Sequence, residues 1–378
     1  MKNQLQQRLE SLDVLRGFDL FCLVALGKIV HKLADATQAP VFDSILPCFN
    51  HVHWEGFSSW DLVMPLFMFM SGITIPFALS RYKTEKNKQS VYKRIIKRVV
   101  LLWIFGMMCQ GNLLSLDPNH LYLYSNTLQA IAMGYLISAL FFLHTSIRTQ
   151  IISAIILLLT YWIAMEFITI GNYGGGNYTP DGNLAEWIDR EVLGRFRDGA
   201  SLMNGETIFS EGYRYTWILS SLTFGVTAMT GTFAGYILKH KEIMPKRKMM
   251  LLTTIGLGMV VLGWTWGIQH PVIKKIWTGS MTLVSSGYCF LLMALFYYVI
   301  DYKGYRKYTG WLKVYGMNSI VAYMLTQCIN FSSISQSVFR GLEQYIGNYY
   351  PLLITLSNIA IIYAILYWMY KKQIFLRV

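Results

Sequence analysis

The sequence predicts an all-α fold, a polytopic membrane bundle of about ten transmembrane helices that forms one domain over 1–378. Hydrophobic residues make up 54% of the 378 positions and charged residues only 14%, whereas a soluble domain usually has about 25% charged residues. Apolar runs of roughly twenty residues, long enough to cross a bilayer as helices, recur along the chain. Basic residues cluster in the segments between these runs, as they do in cytoplasmic loops of membrane proteins.

The apolar runs define the predicted helices in order. The first run contains Asp13, Arg16, Asp19 and Lys28, and the ninth follows a basic loop. We interpret the first as a retained helix because it lacks a small-residue cleavage site. The predicted spans are 12–33, 60–80, 94–113, 125–145, 150–170, 215–238, 249–268, 279–300, 314–331 and 351–371.

The distribution of positive charge predicts the orientation. With a cytoplasmic amino terminus, 23 of the 33 Lys and Arg residues lie in cytoplasmic segments and nine lie outside, with Arg16 inside the first helix. Cytoplasmic loops carry the excess of Lys and Arg, so both termini are expected in the cytoplasm. The predicted location is the bacterial inner membrane, and the longest outer loop is 171–214. In this loop Leu184, Trp187, Ile188 and Glu191 have helical spacing and predict a short amphipathic surface helix.

Composition also bounds the class of function. The net charge of +13 follows the loops between the helices, so it indicates membrane topology and excludes nucleic acid as a partner. The five cysteines show no Cys-x-x-Cys spacing, and we expect no metal site.

The stretch 50–72 carries the strongest chemical signal, because a polar segment with two imidazoles and two carboxylates leads directly into an apolar run. Ionisable groups at membrane depth usually serve a function. The spacing fits equally well with a hydrated loop whose His and Trp side chains anchor the next helix at the membrane interface. His51 and Asp61 are the best pair: a carboxylate that orients the imidazole would raise its basicity and select one tautomer. Alternatively, Asp61 caps the amino terminus of the second helix, and both roles are compatible. His53 and Glu55 are better explained as solvated loop residues.

Three further groups each have two interpretations. Asp13, Arg16 and Asp19 are spaced by three on the first helix and serve either as an ion pair within the bundle or in substrate binding. The basic loop 81–98 holds a polyphosphate or an acidic headgroup, or only sets topology and attracts anionic lipid. The buried pair Asn318 and Ser319 makes an interhelical hydrogen bond or contacts a ligand.

Several motifs resemble the heparan-α-glucosaminide N-acetyltransferase family and its bacterial relatives, which are transmembrane acyltransferases. They are spread over nearly the whole chain: Ser11-Leu12-Asp13-Val14-Leu15-Arg16-Gly17, the stretch from His51 to Gly72, Thr127-Leu128-Gln129, Lys274 with Ile276-Trp277-Thr278, and Gly316-Met317-Asn318-Ser319-Ile320. The chain departs from the family pattern at Gly27, where Asn is common, and at Ala130, where Arg is common.

The resemblance implies a membrane enzyme that uses cytosolic acetyl-CoA as co-substrate to acetylate the amino group of a terminal glucosamine on the far side of the membrane. The family's catalytic His-x-x-Trp-x-Gly motif falls on His51, Trp54 and Gly56, and its aspartate falls on Asp61. We therefore expect His51 and Asp61 to be catalytic, and Trp54, Glu55 and Trp277 to bind the acceptor.

The donor must come from the cytoplasm, so its phosphates are expected to meet Arg94, Lys97 and Arg98. Gln129, Asn318 and Ser319 are expected to line its path. The expected partners are an amino-sugar acceptor and the lipid bilayer, and a homodimer is compatible with the sequence. The alternative function is transport of an amino sugar or related saccharide, with the His51 segment as a gate.

Overall fold

The computed structural model describes residues 9–85, 87–203, 205–210 and 215–376. These residues are mainly α-helical, as predicted, with two short two-stranded antiparallel sheets in the segment 169–209. The chain termini lie outside the described residues, as do five of the basic residues counted above: Lys2, Arg8, Lys86, Arg214 and Arg377.

The helices and strands follow one another along the chain with short connections. Two π-helical turns, Cys22–Leu26 and Tyr297–Tyr302, directly continue helices. The α-helices are α1 (Glu10–Phe21), α2 (Gly27–Thr37), α3 (Val41–Ile45), α4 (Val63–Lys83), α5 (Gln89–Cys109), α6 (Thr127–His144), α7 (Ile147–Phe167), α8 (Leu184–Leu193), α9 (Ser221–Lys239), α10 (Pro245–Gly267), α11 (Gly279–Phe296), α12 (Gly310–Met317), α13 (Ser319–Cys328), α14 (Ser332–Phe339), α15 (Glu343–Ile346) and α16 (Tyr350–Lys371). The strands are β1 (Thr169–Ile170), β2 (Tyr173–Gly174), β3 (Ala200–Met203) and β4 (Glu206–Phe209).

Within the described part of the chain, six helical stretches are long and apolar enough to cross a membrane. Each of the ten predicted spans contains helix, but the count of ten membrane crossings stays a prediction. The six stretches are Ser59–Lys83, Thr127–His144, Ile147–Phe167, Pro245–Gly267, Gly279–Tyr302 and Ser332–Lys371.

Two predicted spans differ in form from single straight helices. The first is α1, a π-helical turn and α2 in succession. The ninth is broken at Asn318, whose backbone (φ −125°, ψ 42°) leaves the helical region between α12 and α13. The buried Asn318 amide instead binds the carboxyl-terminal segment: Nδ2 donates to the carbonyl of Ile374 (3.0 Å), and Oδ1 accepts from the N–H of Leu376 (3.1 Å).

The described residues form two compact units, and each is considered separately. The first comprises 9–51, 58–63 and 292–376. Within it α1 and α12 approach each other at two glycines. A Cβ atom on Gly17 would lie 1.9 Å from the carbonyl oxygen of Leu312, and one on Gly316 would lie 2.1 Å from that of Asp13. Only glycine permits this distance, which places two of the sequence motifs in direct backbone contact.

The second unit comprises 52–57 and the described part of 64–291. Helix α4 is much more buried than α10. In the stretch Ser59–Lys83, which contains α4, 67% of the most apolar part is buried, against 17% for α10. Helices α4 and α9 pack closely because a Cβ on Gly72 would lie 1.9 Å from the carbonyl oxygen of Ala228, and one on Gly231 would lie 2.0 Å from that of Phe69. The last residue of the 50–72 motif is therefore a packing contact.

Candidate active site

His51 and Asp61 lie together in the first unit, where a loop returns the chain to the start of the second predicted span. Nδ1 of His51 is 2.7 Å from Oδ1 of Asp61. Because a carboxylate accepts hydrogen bonds, the imidazole donates through Nδ1, and Nε2 becomes the nitrogen that accepts a proton. The Asp61 side chain is 2% exposed and that of His51 is 47% exposed. A buried carboxylate thus orients an accessible imidazole.

The second oxygen of Asp61 caps the helical turn Ser59–Leu62 that leads into α4. Oδ2 accepts from the backbone N–H of Ser58 at 3.1 Å, and the Ser58 hydroxyl lies 3.0 Å from Oδ2 and 2.7 Å from the carbonyl oxygen of Asn50. This is a capping box, and the Ser-x-x-Asp spacing in the sequence is its signature. Capping and imidazole orientation occur together, one on each oxygen. Ser58 was missed as a site residue although that spacing was visible.

Gly27 makes room for the residue that precedes Asp61. A Cβ on Gly27 would lie 2.5 Å from Cζ2 of the Trp60 indole. The Trp60 ring also packs on Phe49, with ring centroids 5.4 Å apart. The lack of a side chain at position 27 therefore leaves room for the Trp60 indole. The position of this ring in turn helps to hold the turn that carries Asp61.

The other residues of the His-x-x-Trp-x-Gly motif, Trp54 and Gly56, make contacts within the second unit. The backbone N–H of Gly56 donates to the carbonyl of Val272 (2.8 Å), and Glu55 forms a β-bridge with Ile273 while its side chain is exposed. The half-buried Trp54 donates from its indole to the carbonyl of Tyr178 (2.8 Å). The ammonium of Lys275 lies 5.9 Å from the Trp54 ring.

Trp277 is 1% exposed, has a positive φ of 50°, and donates to the Thr227 hydroxyl at 3.1 Å. Its ring also packs edge-on against Phe224, with centroids 5.0 Å apart. The structure thus places this predicted acceptor residue in the packed interior of the second unit.

A buried histidine that no sequence motif singles out, His270, supports the segment that binds Trp54. His270 accepts from the backbone N–H of Gly279 through Nε2 (2.9 Å), so Nδ1 carries the proton and donates to the Tyr178 hydroxyl (2.8 Å). Tyr178 in turn donates to Oε2 of Glu166 (2.9 Å). Burial lowers the pKa of His270 to about 3 and raises that of Tyr178, so both remain neutral.

The three predicted donor-binding cations on α5 have different surroundings. Arg94 and Lys97 are exposed, whereas Arg98 is half-buried. The guanidinium of Arg98 lies 4.0 Å from the centroid of the Tyr135 ring, and its Nη2 is 3.4 Å from the Ser71 hydroxyl. Its Nε is buried without a hydrogen-bond partner among the described residues. Arg98 therefore has unused donor capacity for an anion.

The predicted lining residues make specific structural contacts. Gln129 is fully buried and completes a capping box at the start of α6, where Oε1 accepts from the backbone of Ser125 (2.8 Å) and Asn126 (3.0 Å). Its Nε2 donates to the carbonyl of Leu123 at 2.7 Å. In the first unit, Asn318 holds the carboxyl-terminal segment as described above, and Ser319 is the half-buried first residue of α13.

Two acidic residues of α1, Asp13 and Asp19, are buried. Arg16 lies 3.9 Å from Asp13 on the same helix. Asp19 is 2% exposed, and its Oδ2 has no hydrogen-bond partner in the part of the chain that the structure describes.

The described part of the loop 171–214 contains the predicted short helix, α8, but the buried face of this helix is more acidic than its pattern suggests. Glu186 and Asp189 are buried, whereas Trp187 and Ile188 are half-buried. Glu186 pairs with the buried Arg197, and Asp189 accepts from the backbone N–H groups of residues 217 and 218 at 2.7 and 2.9 Å. These contacts explain why carboxylates occupy the inner face.

Comparisons with known proteins agree with the motif assignment. The family model described as a domain of unknown function, DUF5009, matches residues 8–178, which include His51 and Asp61. Human heparan-alpha-glucosaminide N-acetyltransferase is 26% identical over 377 residues, which covers 85% of this chain and 53% of the human protein. The mouse protein of the same name is 26% identical over 327 residues, which covers 73% of this chain and 48% of that protein.

The chain spans about half the length of these two relatives. The similarity nevertheless extends over most of this chain. These comparisons confirm the resemblance that the motifs predict: the chain is similar in sequence to the heparan-alpha-glucosaminide N-acetyltransferases over most of its length.

Proposed function

We propose that this chain is a transmembrane acyltransferase that moves the acetyl group of cytosolic acetyl-CoA to an amino sugar of the glucosamine type on the outer side of the membrane. The observation that carries the proposal is the contact between Nδ1 of His51 and Oδ1 of Asp61, which leaves Nε2 as the basic nitrogen of a half-exposed imidazole. The names of the two relatives support the reaction class and the acceptor class.

Either of two mechanisms uses this arrangement. As a general base, Nε2 of His51 removes the proton of the acceptor amine while the nitrogen attacks the thioester carbonyl. The new carbon–nitrogen bond replaces the carbon–sulfur bond, and the CoA thiolate receives the proton. Alternatively, Nε2 attacks the thioester and the CoA thiolate leaves. The amine then displaces the imidazole from the acetyl group, and the proton that the amine loses neutralises the thiolate. Asp61 stabilises the imidazole orientation in both mechanisms.

Arg98 is our first choice for contact with the CoA phosphates, because it is the predicted donor-binding cation with a buried, unpartnered N–H. A guanidinium binds phosphate oxygens through several parallel hydrogen bonds. Arg94 and Lys97 would act as exposed charges that attract the coenzyme at longer range. Gln129, Asn318 and Ser319 would support the donor site mainly by fixing helix ends and the broken segment around residue 318.

The acceptor would meet the outer segment that contains Trp54 and Glu55. An aromatic face suits the apolar face of a sugar ring, and a carboxylate suits its ammonium or hydroxyl groups. Trp277 is buried, so it would affect acceptor binding only indirectly, through its packing on Phe224. We further propose an inner-membrane protein with both termini in the cytoplasm, as the charge distribution predicts.

The direct test is mass spectrometry of purified protein that has been incubated with acetyl-CoA and a panel of amino sugars. The proposal predicts a product heavier by one acetyl group with wild-type protein and none with His51→Ala. His53→Ala is the matched control, because this neighbouring exposed imidazole should be dispensable. Transport of unmodified sugar without any acetylated product would support the transporter alternative instead.

A further inference from the structure

An open cleft in the second unit lies where α4 and α6 end and α5 begins. Its volume is about 850 Å³, and it is lined by Glu85, Asn87, Lys88, Gln89, Tyr92 and His144. None of these residues belongs to the candidate active site. The described part of the neighbouring segment, 81–85 and 87–98, contains seven Lys or Arg residues and one Glu. The cleft is therefore a polar cavity in a strongly positive part of the chain.

The walls of the cleft are held in place by local contacts. The Lys88 ammonium donates to the carbonyl of Leu143 (2.9 Å), which ties the start of α5 to the end of α6. The Tyr92 hydroxyl is 2.6 Å from Nε2 of His144, and the two rings are nearly parallel with centroids 6.0 Å apart. Oδ1 of Asn87 accepts from the backbone N–H of Gln89 (2.9 Å).

The groups that remain for a ligand are mainly hydrogen-bond donors. An ammonium has three N–H bonds, of which Lys88 uses one for Leu143, and the Asn87 amide keeps its NH₂ group because its oxygen makes the backbone contact. The Gln89 amide adds two more N–H bonds. Glu85 is the one carboxylate among the described lining residues. This combination is suited to an oxyanion with several acceptor oxygens.

We propose that this cleft binds the phosphate group of a phosphoester. Two sources carry this chemistry: the headgroup of an anionic phospholipid, and the nucleotide part of CoA. The cleft is open, so it accommodates a phosphate that belongs to a larger molecule. The lipid source is independent of the proposed function, whereas the coenzyme source rests on it.

The test uses two exposed positions whose substitution leaves the wall contacts intact. Asn87→Asp keeps the oxygen that accepts from Gln89 and adds a negative charge to the cleft. Glu85→Gln removes the one carboxylate. Lys93→Gln is the control, because Lys93 is an exposed cation of α5 that does not line the cleft. Circular dichroism and thermal unfolding of each variant would establish that the fold is kept.

Binding to the purified full-length protein is measured with two probes. One is adenosine 3′,5′-bisphosphate, followed by calorimetry; the other is phosphatidylglycerol against phosphatidylcholine, followed by native mass spectrometry. For the probe that represents the ligand, we expect Asn87→Asp to weaken binding about fivefold and Glu85→Gln to strengthen it about twofold, as single surface charges do. Lys93→Gln should change binding less than either variant.

The probe that responds identifies the source. A response of phosphatidylglycerol alone assigns a lipid site, and a response of the bisphosphate assigns the coenzyme. If neither probe distinguishes Asn87→Asp and Glu85→Gln from Lys93→Gln, the proposal is wrong. Because the readout is binding, it separates this outcome from a failure of the acetyl-transfer proposal, which is judged by product formation.

Discussion

Asp61 contacts His51 with one carboxylate oxygen, Oδ1 to Nδ1 at 2.7 Å, and the backbone N–H of Ser58 with the other at 3.1 Å. The same residue therefore closes the cap of the turn before α4 and sets the orientation of the imidazole. This coupling means that the position of the histidine depends on the start of the helix. Substitution of Asp61 and substitution of Gly27 both test this coupling.

Replacing Asp61 with Asn should lower kcat by a factor on the order of 10²–10⁴, because the amide no longer favours the proton on Nδ1 of His51. The KM for acetyl-CoA should change little. Steady-state kinetics would measure both quantities, with the exposed Asp43→Asn as a control for loss of charge. A kcat equal to that of the control would show that Asp61 only caps the helix.

Gly27→Ala should displace the Trp60 indole, since its new Cβ would lie 2.5 Å from that ring. Overpacking of this kind costs about 1–3 kcal/mol, and the shifted turn should also reduce kcat. Thermal unfolding and kinetics together would measure the two effects. Gly258→Ala is the control, because a Cβ there meets no atom within 4 Å. Equal behaviour of the two variants would refute the role of Gly27, whereas recovery in Gly27→Ala with Trp60→Leu would support it.

Arg98→Gln should raise the KM for acetyl-CoA about tenfold, and Arg94→Gln should raise it less. The reason is the environment of the two guanidinium groups: Arg98 is half-buried with an unpartnered Nε, whereas Arg94 is exposed and screened by salt. The KM for the acceptor serves as the internal control and should stay constant. Equal changes in the KM for acetyl-CoA in the two variants would mean that Arg98 has no specific contact with the coenzyme and that both residues serve only to set the membrane topology.

Stability should fall on acidification because of His270. Burial lowers the pKa of this imidazole to about 3 from the ordinary value of 6.5, so the unfolded chain takes up a proton in this interval that the folded chain does not. The contribution is complete above pH 6.5 and is lost progressively below it. Between pH of about 7.5 and about 5 the loss is about 2 kcal/mol.

Denaturant unfolding of the wild type and His270→Gln at both pH values would isolate this contribution from that of other groups. Glutamine keeps one donor and one acceptor near Tyr178 and Gly279, and it does not titrate. The wild type should lose more stability than the variant on acidification. An equal loss in both proteins would mean that His270 takes up its proton without unfolding.

The sequence predicts the helices well because apolar runs of sufficient length must form helices in a bilayer, where every backbone polar group needs a partner. The contact of His51 with Asp61 could also be predicted from the sequence, because both residues lie near the start of the same helix. The break at Asn318 was not, because hydropathy carries no information about a side chain that binds backbone atoms of residues 374 and 376.

Long-range polar contacts account for the other differences. His270, Tyr178 and Glu166 come from three separate segments, and nothing in their local patterns pairs them. In α8 the periodicity of Trp187 and Ile188 predicts an apolar inner face, but Arg197 and the backbone N–H groups of residues 217 and 218 bind carboxylates there. The groups that bind these buried carboxylates are distant in sequence, so the local pattern of α8 does not reveal them.

The most direct test of the central claim, acetyl transfer across the membrane, uses sealed vesicles with the native cytoplasmic face inward. Acetyl-CoA is loaded inside, and an impermeant amino sugar is added outside. We predict acetylated sugar outside with wild-type protein, none with His51→Ala, and no accumulation of unmodified sugar in the lumen. Entry of unmodified sugar without acetylated product would contradict the transferase account and leave transport as the function.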